Sequence, residues 1–323
     1  MKLIKNIQEV QNIIPVSMTS EIEVIKPFFT TSERILIGLI GKEQFESLKT
    51  AYESESTDAI IKEAIEFAQR VIVCLGYHSA LPILSVKIGN AGITINSNAD
   101  TKQAFSWQVG KVEKSLLELG FGAVEDLLEL LERDSAKFPE YHNSDEFKRQ
   151  KQYLISTAAD FTDYFNIGRS RYVFHSMSYI MRRIEEQELN TLFGTDFIES
   201  LKNPPSATPL SEAQLKLLKS YIKPGIALLT AAKALKERII TFENGVATIN
   251  LHGNYDVAKK ELVADKQTID NAFTQLTEDG NRFLQDGLAM IIEKLGDFPG
   301  YTAPESKRKL KITNDREKGI WAN

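Results

Sequence analysis

Between residues 58 and 81 apolar positions recur at helical spacing on almost every side: Ile61, Ala64, Ile65, Ala68, Ile72 and Leu75 on one face, Phe67, Val71 and Cys74 on another. A helix apolar nearly all round is a buried one. The stretch therefore predicts the central helix of a bundle, with Thr57 as N-cap, Asp58 favourable beside the positive helix end, and Pro82 as the stop. Val71, Ile72 and Leu75 are expected in the core. Upstream, residues 1–20 are mixed, contain Pro15 and predict a short extended arm. Residues 21–39 predict a helix closed at Gly41, where a left-handed residue suits a helix end. Downstream the period changes from 3.6 to 2, and residues 84–96 predict two short strands around Gly and Asn. A long helix to about Arg133 follows, with Gly120 and Gly122 as candidate breaks. Phe138-Pro139-Glu140-Tyr141 closes this half, and residues 142–165 read as a polar and then helical join between the halves.

The pattern then starts again. Gly41-Lys-Glu-Gln-Phe-Glu-Ser-Leu-Lys49 returns as Gly194-Thr-Asp-Phe-Ile-Glu-Ser-Leu-Lys202, 153 residues on. Asn90–Asn96 returns as Asn244–Asn250, 154 on, and Phe138-Pro139-Glu140-Tyr141 as Phe298-Pro299-Gly300-Tyr301, 160 on. Three matches in order mean a tandem duplication with a domain-sized period. The expected fold class is mostly α, a doubled helical domain whose halves each hold a central buried helix and a short β-hairpin, with residues 1–150 as the first repeat and 151–323 as the second. In the second repeat a first helix is expected over about His175–Phe193. Ser211-Glu212-Ala213-Gln214 is a capping box, Pro224-Gly225 predicts a kink or late start in the central helix, and Asn244-Gly245 between β-branched runs is a strong hairpin signal.

Composition narrows the function. A net charge of −5 on 323 residues gives no basic footprint for sequence-specific nucleic-acid binding. The lone Cys74 cannot form an intramolecular disulfide. Met1–Asn6 lacks the apolar core of a signal peptide, and no apolar run approaches the roughly 18 residues of a membrane span, which points to synthesis in the cytoplasm and no membrane partner. Nucleotide-binding glycine loops, the Gly-x-Ser-x-Gly elbow and His-Glu-x-x-His are all absent. Cys74 and His78 share a helix face at metal-ligand spacing, but the thiol reads more simply as buried core and the imidazole as a helix-end residue. Glu125, Glu129 and Glu132 read as a solvated face opposite leucines. Arg169, Arg171, Arg182 and Arg183 cluster at the start of the second half, where they bind phosphate or a partner's acidic patch or else solvate the surface. Arg169 and Arg171 are expected on an extended arm. The basic tail 305–323 ends in Trp321, a residue suited to docking. No catalytic residue, metal or cofactor is expected, and the function is expected to lie in surfaces.

The apolar helix 58–81, the hairpin 84–96, the helix ending near Arg133 and the extended arms together resemble head–tail connector (neck or adaptor) proteins of tailed phages, in the doubled form found in Bacteroidetes phages and prophages. Connector domains are usually single, so the doubling is a departure that touches copy number. The resemblance implies a structural virion protein in the neck, forming a ring-like homo-oligomer on the portal, touching other neck or tail proteins and letting double-stranded DNA pass without sequence-specific binding. Ile239, Thr241, Phe242, Val246, Thr248 and Ile249 of the second hairpin, with Arg169, Arg171 and Trp321, are the candidate interface. The hairpin edge carries little charge to guard it, with only Glu243 charged within 239–249. The alternatives are a bacterial helical scaffold or peptide-binding module acting in the cytoplasm, and an enzyme with a site assembled from scattered polar residues.

Overall fold

A computed structural model describes residues 3–16, 21–89, 92–95, 105–204, 209–237, 240–243, 246–249 and 258–304. The fold is mostly helical. The first repeat comprises α1 (Ile7–Gln11), α2 (Ile22–Ile40), α3 (Lys42–Glu53), α4 (Ala59–Leu84), strands β1 (Val86–Gly89) and β2 (Gly92–Ile95), α5 (Ser106–Arg133), α6 (Pro139–Asn143) and α7 (Asp145–Lys151). The second comprises α8 (Ala158–Thr162), α9 (Arg171–Ile184), α10 (Asn190–Phe193), α11 (Thr195–Lys202), α12 (Glu212–Leu217), α13 (Lys223–Lys236), β3 (Ile240–Glu243), β4 (Val246–Ile249) and α14 (Ala258–Glu293).

In the first repeat α4 packs between α2 and α5. Val71, Ile72 and Leu75 lie in its buried stretch, as the periodicity predicts, and Cys74 is a buried free thiol. Asp58, not Thr57, caps the helix: its carboxylate accepts from the N–H groups of Ile60 and Ile61. Pro82 does not end it. The helix runs on to Leu84, because proline cancels one backbone bond without forbidding a last turn. By length and composition α4 could cross a membrane, contrary to expectation. Packing between α2 and α5 accounts for its apolar character.

Two further expectations are corrected. The first residues are not an arm: Leu3, Ile4 and Val10 are core residues, and α1 is capped by Asn6. Residues 142–165 carry short helices, as their sequence predicts, with Phe147 packed on the first core and Leu154, Ile155 and Phe161 in the second. Gly120 and Gly122 do not break α5. Gly120 is where α5 touches α4, and a methyl there would lie 2.7 Å from Leu75 Cδ2. Gly280, 160 residues on, does the same against α13, with a methyl placed 2.8 Å from Leu229 Cγ. Leu229 is itself 154 residues beyond Leu75, so both repeats use one glycine–leucine crossing.

Other repeat positions also match in conformation. Gly41 (φ 86°, ψ 154°) and Gly194 (φ 85°, ψ 142°) each end one helix and begin the next, and both need the positive φ that glycine allows. Phe138 (φ −126°, ψ 54°) and Phe298 (φ −121°, ψ 64°) are both buried and turn the chain alike. Pro139 opens the short helix α6.

The second repeat differs by π-helical turns. The helix expected over 175–193 begins at Arg171 and passes through a π segment, Glu185–Leu189, between α9 and α10. A second, Leu218–Ile222, joins α12 to α13 just ahead of Pro224 and answers the expected kink. The N-caps Asp58 and Ser211 are 153 residues apart, whereas the strand starts Val86 and Ile240 are 154 apart. One residue has entered the central helix, and the π turn holds it.

Each strand pair is antiparallel, Val86↔Ile95 through Gly89↔Gly92 and Ile240↔Ile249 through Glu243↔Val246. Among the described residues no third strand joins either pair.

Candidate functional site: the seam between the repeats

Polar and charged side chains converge where α9 meets α5. The approach is a tight loop. Gly168 and Arg169 both take positive φ (64° and 58°), the Gly168 N–H donates to Asn166 Oδ1 at 2.9 Å, and the Arg169 N–H donates to Thr162 Oγ1 at 3.1 Å. Ser170 then caps α9 through the N–H of Val173. Arg169 and Arg171 are therefore not on an extended arm; Arg171 is the first residue of a helix.

Helix starts present unpaired N–H groups and a positive dipole end, and here a carboxylate of the other repeat meets them. Glu125 Oε1 accepts from Ser170 Oγ at 2.6 Å and from the Tyr172 N–H at 2.7 Å, while Oε2 accepts from the Arg171 N–H at 2.8 Å. Arg171 Nε donates to Glu132 Oε2 at 2.9 Å, and its Nη1 lies 3.6 Å from Glu129 Oε2. The rings of Phe121 and Tyr172 stack beside them at 4.4 Å. Burial works against the charge on Arg171, but Glu132, with Glu125 and Glu129, outweighs it and holds the guanidinium above its ordinary pKa. The three glutamates, expected to be a solvated face, are the receptor for the second repeat. Their spacing on one helix was visible; their partners, some 40 residues on, left no local signal.

Behind the seam, Glu185 is buried in the first π segment. Its Oε1 accepts from the Leu154 N–H at 2.8 Å, and its Oε2 pairs with Lys202 Nζ at 2.6 Å. Burial raises the Glu185 carboxyl, partly offset by Lys202. This ties the chain leaving the first repeat to two helices of the second.

A cleft of about 390 Å³ opens further along α9, lined by Glu146, Arg149, Tyr153, His175, Tyr179 and Arg182 among others. Arg182 is paired with Glu186 at 2.7 Å, the Tyr179 hydroxyl donates to Glu237 at 2.7 Å, and Arg183 pairs with the same Glu237. The Ser178 hydroxyl donates to the His175 carbonyl at 2.7 Å, so it is committed to the backbone and is not poised as a nucleophile. Burial, then the nearby Arg149, lowers the His175 pKa, with Glu146 opposing. The unfolded chain therefore takes up this proton first, near the ordinary value of about 6.5. The contribution of His175 to stability is complete above that pH and is lost as pH falls toward its folded value. Glu185 acts oppositely, since acid relieves the cost of its buried charge. The expected result is that acidification from pH 7.5 to 5.5 shifts the urea midpoint of wild type further downward, relative to its pH 7.5 value, than that of His175→Gln. Equal slopes in the two proteins would overturn this assignment.

Of the remaining candidate residues, Ile239 and Trp321 lie outside the described residues. Thr241, Phe242, Val246, Thr248 and Ile249 lie on the second strand pair, away from the seam arginines in sequence, with Thr241 opposite Thr248 and Phe242 opposite Ala247. Cys74 and His78 gather no further ligand: among the described residues no group of three or more His, Cys, Asp or Glu could hold a metal ion.

The sequence profile of a family of unknown function, DUF6712, matches the chain twice, over residues 36–151 and again over 189–310. The two matches start on Leu36 and Leu189, 153 residues apart, both buried on the helices that lead to Gly41 and Gly194. No curated protein and no solved structure matches the chain.

Proposed function

The chain belongs to the family DUF6712 and carries two copies of its unit in tandem, and from that premise we propose that it is a structural, self-assembling protein whose activity is to join surfaces. The observation that carries this is the pair of two-stranded sheets, neither joined by a third strand among the described residues. Two strands of four residues are marginal alone, and open edges invite strand addition. Two residues connect β3 to β4, so the flanking pair Glu243↔Val246 and, by alternation, Thr241↔Thr248 spend their backbone groups on each other. The N–H and C=O groups of Phe242 and Ala247 then point away from the partner strand, the direction from which a neighbour's strand would pair.

Phe105, Trp107 and Val112, exposed at the start of α5 just downstream of the first strand pair, add apolar surface. The more specific reading is a head–tail connector of a tailed phage, a ring on the portal in the virion neck, self-associated and passing DNA without sequence-specific binding. The mild net negative charge suits a lumen through which DNA slides. Purified protein should form rings by negative stain and mass photometry, alone or on portal proteins. Ala247→Pro blocks an outward N–H while leaving the hairpin's own bonds intact, and should abolish assembly with helicity unchanged. Unaltered assembly in that variant would remove the strand edge from the reading.

A further inference from the structure

The cleft along α9 is lined from three elements. Gly38 of α2 forms one edge, Arg149 of α7 with Tyr153 beyond it a second, and His175, Tyr179 and Arg182 of α9 a third. Its volume of about 390 Å³ lies toward the small end of ligand sites, which run from about 300 to 1,000 Å³. It suits a small molecule. Each repeat supplies one guanidinium: Arg149 follows Phe147, which packs on the first core, and Arg182 follows Met181 of the second. Neither is fully engaged. Arg149 Nε donates to the Asp145 carbonyl at 3.1 Å, and its Nη2 lies 3.7 Å from Glu146 Oε1, beyond hydrogen-bond length. The other oxygen of Glu146 is directed at the α2–α3 junction, where it would lie 3.3 Å from a methyl on Gly41. Arg182 gives its Nε to Glu186 at 2.7 Å, which leaves the amino groups of its fork. The Tyr153 hydroxyl makes no hydrogen bond to a described residue. Burial, helped by Glu185 and Glu186, raises its pKa, while Arg182 and Arg149 act against that rise, so both guanidiniums reach this hydroxyl. Glycine weakens a helix relative to alanine, yet no packing contact calls for Gly38. A methyl there would meet no atom within 4 Å, and what it leaves clear is this edge of the cleft.

We propose that this cleft binds a small, ring-bearing phosphate monoester, its phosphate held by Arg149, Arg182 and the Tyr153 hydroxyl and its ring against Tyr179 and His175. A phosphate monoester suits this donor set better than a carboxylate. It brings close to two negative charges at neutral pH to two guanidiniums, and three terminal oxygens to three donor groups. A carboxylate brings one charge and two oxygens. The two arginines, like in charge and drawn from different repeats, repel each other across the cleft, and an anion between them turns that repulsion into a bridge. Binding here involves neither strand pair, so it goes beyond the assembly reading and can fail or hold without it.

The test is isothermal titration calorimetry on the full chain, in phosphate-free buffer at low salt, with phenyl phosphate, inorganic phosphate and benzoate as probes. Phenyl phosphate should bind once per chain, and the other two more weakly, inorganic phosphate for want of a ring and benzoate for want of charge and oxygens. Both arginine side chains are 65% exposed, so Arg149→Gln and Arg182→Gln should leave the melting of the free protein little changed. Each should weaken phenyl phosphate by about tenfold or more. Saturating phenyl phosphate should raise the melting temperature of wild type and not that of the double arginine variant. A wild type that does not bind phenyl phosphate would overturn the proposal, as would equal affinity in the double variant. Inorganic phosphate bound as tightly as phenyl phosphate would overturn the ring-bearing ligand, and benzoate bound as tightly would overturn the phosphate.

Discussion

Leu75→Asp is expected to leave the first repeat unable to fold. Leu75 is 4% exposed, sits on the central helix and fills the space above Gly120 where α4 and α5 meet. A carboxylate there would lie in the apolar core against Gly120, and burying it uncompensated costs several kcal/mol or more, against a total domain stability of roughly 5–15 kcal/mol. Loss of far-UV helicity and of a cooperative melt, or recovery only as aggregate, is the expected readout. A soluble Leu75→Asp protein melting at the wild-type temperature would remove α4 from the core.

The second large effect belongs to Glu125. Its alanine variant strips three donors of their acceptor, the Ser170 hydroxyl and the N–H groups of Arg171 and Tyr172, and takes one negative charge from beside Arg171. Hydrogen bonds to charged groups contribute about 1.5–3 kcal/mol each. Water can reach part of this seam, so the total loss should be nearer about 3 kcal/mol than the full sum of three such bonds. Glu125→Gln keeps an acceptor and should lose roughly half as much. The loss falls on the joint between repeats, so calorimetry should resolve one unfolding transition into two. A single transition at the wild-type temperature would mean that the repeats are held by something other than this carboxylate.

How far the sequence foretold these features depends on the range over which each is determined. The central helix was legible because its burial is written locally, in a run with no polar side to turn to water. Gly41 and Gly194 were legible for the same reason, since a helix end needs its glycine on the spot. Gly120 was misread because the same residue that breaks an isolated helix lets two helices touch, and only the facing Leu75 decides between the two. Glu125, Glu129 and Glu132 matched the pattern of a wet face, and nothing within one helix could show that Arg171 waited beyond three short helices. Leu3 and Ile4 are too few to make a periodic signal, yet a bundle with an open flank recruits them.

The π turns bear on how two copies of one fold drift apart. A residue added to a regular helix rotates everything beyond it by about 100° around the axis. In α12–α13 such a rotation would swing either Leu217 or Ile226 out of the core. Both are fully buried, on opposite sides of the segment Leu218–Ile222. The wide turn takes up the extra residue and leaves the angular phase of both flanks intact. The second repeat has thus grown longer than the first while its side chains still point where their counterparts do, so length can vary in this fold without a loop to absorb it.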